Sequence, residues 1–278
     1  MGVKTHPKGG VQMAFSAKTF IFNGIPSEFF NLYLGEIDGD GQSTTSLGSD
    51  VSLLTEKIFR RPVPYLYGAE QTPMLQFTLS AFFPGAMDVG FFTKISGWLF
   101  GQQNYKKLYL CQADMTDVYF NCFLTAPQIV KMGNMITGFT TTVVCDAPWG
   151  WKENYVFTQT GLTYGGDQTV TLFNDSDNTF YTKPTATITF DATGGDASII
   201  NTSDSNRETE FVGIDGSDVI TLNSDIETIS GTSGDTDFLN GTKFNYKWLR
   251  LVRGHNILTV NGRISSLSLS IPIAVKTS

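Results

Sequence analysis

The chain has 278 residues, 41% of them hydrophobic and 16% charged, with a formal net charge of −7. That balance can build folded cores and excludes a disordered chain. The acidic surplus excludes a surface made to grip nucleic acid or an anionic membrane, since both need clustered Lys and Arg.

With 28 Gly, 22 Phe and 10 Tyr, the composition favours a mainly β protein, because stiff aromatic side chains suit sheet faces. No apolar run is long enough for a membrane-spanning helix, so no membrane insertion is expected. The opening MGVKTHPKGGVQ lacks the apolar segment of a signal peptide. His6 stands where a myristoylation signal after Gly2 wants Ser or Thr. A second methionine, Met13, marks residues 1–12 as a leader or flexible tail.

Residues 19–35, TFIFNGIPSEFFNLYLG, read as two extended runs folded back at Asn23-Gly24. Asn-Gly is the favoured pair for a tight hairpin because both residues tolerate positive φ. The segment GEIDGDGQSTTSLGSD is a polar, glycine-rich loop. Strand-like runs resume at EKIFRRPV and MLQFTLSAFF. PGAMDVGFFTKISGWLFG is the one convincing helix: Met87, Phe91, Phe92, Ile95, Trp98 and Leu99 share a face, Pro84 precedes it and Gly101 stops it. Then come YKKLYLCQ, DVYFNCFL and a hairpin, APQIVKMGNMITGFTTTVVC, with Gly133-Asn134 at its tip. Its return strand places Phe139, Thr141, Val143 and Cys145 on one face.

A boundary just past DAPWGWKE divides the chain into residues 13–152 and 153–278. The second part is richer in Asp, Ser, Thr, Gly and Asn. Strands are expected at TATITF, EFVGI, DVITLN, KWLRLV and NILTVNG. In ISSLSLSIPIAV, Leu267, Leu269, Ile271 and Ile273 point inward. Short alternating strands separated by polar turns describe an antiparallel sandwich.

Catalytic residue types are scarce. The two histidines are His6 and His255, and no G-x-S-x-G accompanies either. DGDG at 38–41 hints at a calcium loop, but position 12 is Ser49 rather than Glu. The Asp-rich stretch FNDSDNTF reads as a solvated turn. Cys111, Cys122 and Cys145 lack metal-site or redox spacing and read as reduced core residues. Asn174, Asn201 and Asn240 precede x-Ser/Thr, which implies sugar only in an exported eukaryotic protein. No enzyme, metal site or cofactor is expected.

Four stretches in order resemble the distal tail proteins of siphophages, the hub proteins that join the tail tube to the tip or baseplate. They are Phe22-Asn23-Gly24-Ile25-Pro26-Ser27; the helix ending Ile95-Ser96-Gly97-Trp98-Leu99 with the two strands after it; GFTTTVVCDAPWGW; and WLRLVRGHNILTVNG. The likeness spans nearly the whole chain from Met13. The polar loop at 36–50, RRPVPYLYG and Arg253-Gly254-His255-Asn256 depart from the family pattern.

The resemblance implies an N-terminal β-rich ring-forming domain with one helix, followed by a C-terminal galectin-like β-sandwich. It implies a homo-oligomer, a hexamer in that family, at the distal end of the tail of a virion made in the host cytoplasm. The implied partners are the tail tube protein, hub and tape-measure proteins, and receptor-binding proteins, with DNA passing through the ring without stable binding. A head-to-tail ring needs surplus apolar surface. Phe20, Phe22, Asn23, Gly24 and Ile25 in the first hairpin, and Met132, Gly133 and Asn134 in the second, are candidates for it; the alternative is that the aromatics are all core. A competing reading is a carbohydrate-binding module of the tail tip, with Tyr246, Trp248 and His255 as candidate sugar contacts.

Overall fold

A computed structural model of the protein describes residues 17–35, 51–71, 74–87, 89–166, 168–178, 180–233, 238 and 241–276. The leader at 1–12, most of the polar loop with its DGDG, and Asn240 lie outside the described residues. The protein is mainly β and forms two compact units, residues 1–151 with 276–278, and residues 152–275.

The first unit contains β1 (Phe20–Phe22), β2 (Ile25–Pro26), a 3-10 turn (Ser27–Phe30), β3 (Tyr33–Leu34), β4 (Val51–Glu56), β5 (Tyr65–Gln71), β6 (Gln76–Met87), α1 (Val89–Phe100), β7 (Lys106–Leu110), β8 (Tyr119–Met132) and β9 (Met135–Cys145). Apart from β4 and β5, the strands pair in the order β3-β6-β9-β8-β7-β1-β2. The helix packs into this sheet. Trp98 stacks on Phe20 of β1, while Phe92 and Phe100 meet Phe139 of β9 edge to face. One short helix touching strands that far apart in the order requires the sheet to curl around it.

The return strand β9 buries Phe139, Thr141, Val143 and Cys145, the face expected from its alternation. Gly138 lies where a Cβ would come within 2.4 Å of the Ala81 carbonyl oxygen and 2.7 Å of the Phe82 ring. Only glycine lets β6 and β9 approach this closely.

Three expectations need correction. The helix starts at Val89, and Pro84 to Met87 belong to β6. Pro84 has no N–H to donate, and it sits within a break of register between Phe82 and Met87. Residues 57–63 of EKIFRRPV, with Pro64 after them, connect β4 to β5 and are not strand: Arg60 has φ +69° and two prolines follow it. In the first hairpin the second run is only two residues long, because the 3-10 turn at Ser27 diverts the chain and β3 pairs with β6 instead.

In the second unit two antiparallel sheets face each other. One has the order β16 (Thr228–Gly231), β15 (Val219–Asn223), β12 (Thr185–Phe190), β18 (Ile264–Val275), β10 (Gly150–Thr160). The other is β11 (Gln168–Asn174), β17 (Gly254–Gly262), β13 (Gly195–Asn201), β14 (Arg207–Ile214). Ala186, Ile188 and Phe190 from β12, with Leu267, Leu269, Ile271 and Ile273 from β18, form the inner face of the first sheet.

KWLRLV, expected as a strand, joins no ladder beyond one bridge, Leu251 to Thr182. Its carbonyls are taken by side chains instead. Thr209 Oγ1 donates to Lys247 O, Arg207 Nε to Trp248 O, Asn201 Nδ2 to Arg250 O and Asn174 Nδ2 to Val252 O. Side-chain donors have replaced a neighbouring strand.

Asp218 fixes the end of β15 to the residues after β16. Its carboxylate accepts from the backbone N–H of Val219 and Ser233 and from the hydroxyls of Thr232 and Ser233. Burial alone would raise its pKa, but these four bonds outweigh that and hold it below the ordinary 3.8. A depressed carboxylate contributes stability that is complete above the unfolded value and is lost as pH falls through the folded one. Thermal unfolding between pH 6 and pH 2 is expected to show a steeper loss of stability below about pH 4 in wild type than in Asp218→Asn.

Cys122 and Cys145 face each other across β8 and β9 and are buried and reduced. Burial pushes both thiols up, Cys145 to about 12. Cys111 departs from the expectation of three core cysteines: it is exposed, just beyond the end of β7. A thiol reagent at pH 8 is expected to modify Cys111 alone in the native protein, and all three cysteines after denaturation.

Candidate functional site

The first hairpin divides its residues between core and surface. Phe22 pairs with Ile25 across the turn, with Asn23 at φ +50° and Gly24 at φ +77°. Two consecutive positive φ values define the tight turn that matches strand twist, and Asn-Gly is the pair that adopts it at least cost. Ser27 is fully buried, and its hydroxyl accepts the N–H of Phe20 at 3.2 Å. The indole Nε1 of Trp98 donates to the carbonyl of Phe22 at 3.1 Å.

Phe20 and Phe22 are fully buried, which corrects their candidacy as contacts for a neighbouring subunit. Their rings pack on Trp98, at centroid distances of 6.0 and 6.2 Å. What the hairpin offers outward is Asn23, Gly24 and Ile25, and beyond them Phe29, which is 76% exposed. Phe29 meets Phe30 at 5.1 Å, Phe30 meets Phe91 at 5.9 Å, and Phe30 rests on Trp98 at 4.8 Å. The result is an aromatic patch with a rigid floor.

Met132, Gly133 and Asn134 lie at an exposed hairpin tip, where Met132 of β8 opposes Met135 of β9. The outer part of β8, from Thr125 to Met132, is exposed almost throughout, with Ile129 and Met132 uncovered. Sequence reasoning missed a long exposed feature, the β4–β5 hairpin. Between residues 52 and 67 every side chain is exposed, including eight large apolar ones, and Phe59 reaches 85%. The run of aromatics and aliphatics in VSLLTEKIFRRPVPYLY was a signal, but apolar runs ordinarily indicate core.

The closing signature DAPWGW is a structural clasp. Asp146 accepts from Trp151 Nε1 at 3.1 Å and from Asn121 Nδ2 at 3.0 Å. In the second unit Asn256 is likewise structural: buried, it accepts from Val252 N and Asn201 Nδ2 and donates to Val252 O and Gly254 O. The candidate sugar contacts do not form one site. Tyr246 and Trp248 pack on Phe244, which bridges to Phe211 of β14. His255 lies against Phe173 on β11 and β17, with β13 between that pair and β14. Among the described residues no group of His, Cys, Asp and Glu could hold a metal ion.

Trp98 joins the hairpin, the patch and the helix. Trp98→Ala is expected to destabilise the first unit by about 3–5 kcal/mol, as loss of a buried large aromatic does, read from urea unfolding.

Residues 15–147 match the family described as phage tail protein N-terminal domain, and residues 149–271 match its companion, phage tail C-terminal domain. No curated protein matches the sequence. Among solved structures, the fold is shared with the phage SPP1 Dit (gp 19.1) protein, described as a paradigm of hub adsorption apparatus in phages infecting Gram-positive hosts. Identity is 11%, covering 92% of this chain and 98% of that one, with a TM-score of 0.68. A chain of the phage P2 baseplate in its activated conformation with Ca is 10% identical, covering 94% of this chain and 99% of that one, with a TM-score of 0.50. With paired N- and C-terminal tail domains matched along nearly its whole length, the chain belongs to the phage tail protein family that these two domains define, and it shares the fold of a Dit hub protein.

Proposed function

We propose that the chain is a non-enzymatic structural hub of a long non-contractile tail, whose copies close into a ring between the tail tube and the tip or baseplate. The observation that carries this reading is the exposed apolar surface of the first unit: the β4–β5 hairpin and the patch around Phe29. Exposed apolar surface on this scale marks interaction sites. The arm and the patch are different surfaces, and contacts between different surfaces generate rings or fibres.

In this reading residues 13–152 form the ring, a hexamer, and residues 153–278 form a galectin-like sandwich that anchors receptor-binding proteins. The tube protein and the tape-measure and hub proteins stack on the ring. The subunit is made in the host cytoplasm and ends at the distal tip of the virion. The net charge of −7 suits a ring through which DNA slides, since a wall of the same sign repels the phosphates.

Light scattering on the purified protein tests the ring. The expected mass is close to six times the 30.5 kDa subunit, and unchanged on dilution. A mass of one subunit at every concentration would overturn self-assembly. The same sample is expected to retain no duplex DNA at 150 mM salt; salt-dependent retention would overturn the sliding-wall reading.

A further inference from the structure

Among the described residues β4 and β5 pair only with each other. A two-stranded hairpin alone is marginal in water, and this one has no face turned to a core. Its apolar residues also lie on both faces. Leu54, opposite Gly68, and Tyr65, opposite Glu56, fall on one side; Leu53, opposite Ala69, and Leu66, opposite Thr55, fall on the other. A strand pair apolar on both faces is built to be enclosed rather than to cover something.

We infer that this arm is the head-to-tail grip between copies: the arm of one chain seats on the Phe29–Phe30–Phe91 patch of the next. The inference rests on the ring reading and names the contact that would make it. Three features favour a second copy as the occupant. The arm carries Lys57, Arg60 and Arg61 against two acids, Glu56 and Glu70, within a chain of net charge −7, so it is a net cation in an acidic chain and is attracted to another copy. Glu28 stands exposed beside Phe29 on the patch, where an arginine of the arm can meet it. The patch is preorganised, because Phe30 is fixed between Phe91 and Trp98.

The size is also adequate. Eight large side chains, at roughly 100 Å² apiece, approach the roughly 800 Å² per partner of a stable interface. Arg61 already lies 3.6 Å from the centroid of the Tyr65 ring, stiffening the arm before it docks.

The test compares wild type with Phe59→Asp, which spoils the arm, and Phe29→Asp, which spoils the patch. Both side chains are exposed, so the thermal midpoint of each variant is expected to match that of wild type. Where one fails to fold, Leu66→Ser replaces it on the arm and Phe29→Ser on the patch. Light scattering is expected to give a closed oligomer for wild type and a monomer for each variant. An equimolar mixture at high concentration is expected to give a dimer and nothing larger, because the intact arm of Phe29→Asp can seat only on the intact patch of Phe59→Asp.

Wild-type mass in either variant would overturn the arm–patch contact and leave the ring reading standing, with the arm assigned to a different tail protein. Monomeric variants whose mixture stays monomeric would overturn the head-to-tail pairing. A monomeric wild type would overturn the ring reading and this inference together.

Discussion

The hydrogen bond from Trp98 Nε1 to the carbonyl of Phe22 fixes the point on which the first unit depends. It lies beneath a hairpin whose strands are three and two residues long, too short to hold themselves together. With the indole in place, Phe20 and Phe22 have a surface to pack on, the helix is tied to β1, and the sheet must curl to reach both. Pro26 and the buried Ser27 then turn the chain out of the hairpin, which leaves Phe29 at the surface while Phe30 stays supported from below. The same indole therefore organises the core and holds up the exposed patch. An aromatic patch on a soft support would lose side-chain and backbone freedom on docking; one resting on a buried tryptophan has already lost it.

In the second unit, buried asparagines supply bonds that a neighbouring strand would otherwise supply. Asn174, Asn201 and Asn256 are all buried, and all donate to carbonyls between Arg250 and Gly254. The segment thereby stays ordered without belonging to a ladder. Arg250 adds a two-pronged bond to the buried carboxylate of Asp204 and lies over the ring of Tyr181. Removing one partner of such a pair leaves a buried charge without compensation, so the two residues are constrained together. That chemistry makes the late Gly-x-Asn turn a structural feature, with His255 pointing outward beside it.

The sequence was most legible where one face of a strand is buried. The alternation in β9, β12 and β18 identified the core side residue by residue, because period-two patterning is imposed by burial itself. The Asn23-Gly24 turn was legible because positive φ restricts the choice of residues. Three things were not. The start of the helix was hidden because the apolar spacing runs back through Met87 into β6, and periodicity alone does not say where pairing ends. KWLRLV looked like a strand because its alternation is real, yet its hydrogen bonds go to side chains distant in sequence. Phe20 and Phe22 could not be told apart from Phe29 by type: all are phenylalanines in one aromatic cluster, and only the position of Trp98 decides which are covered.

The β4–β5 arm carries that ambiguity furthest. Apolar residues in a strand pattern ordinarily mean a core strand, and nothing in VSLLTEKIFRRPVPYLY says that the core it completes lies in another molecule. Among the described residues the arm has apolar side chains on both faces and no third strand beside it, which a monomer cannot satisfy without building another layer around it. A dimer in which the arm meets its own twin would bring Lys57, Arg60 and Arg61 against the same three cations. Like charges face to face oppose that pairing, whereas the acidic remainder of the chain attracts the arm. Charge thus disfavours arm-to-arm pairing and favours a contact between unlike surfaces, and such a contact made head to tail propagates from copy to copy and closes into a ring where its rotation allows.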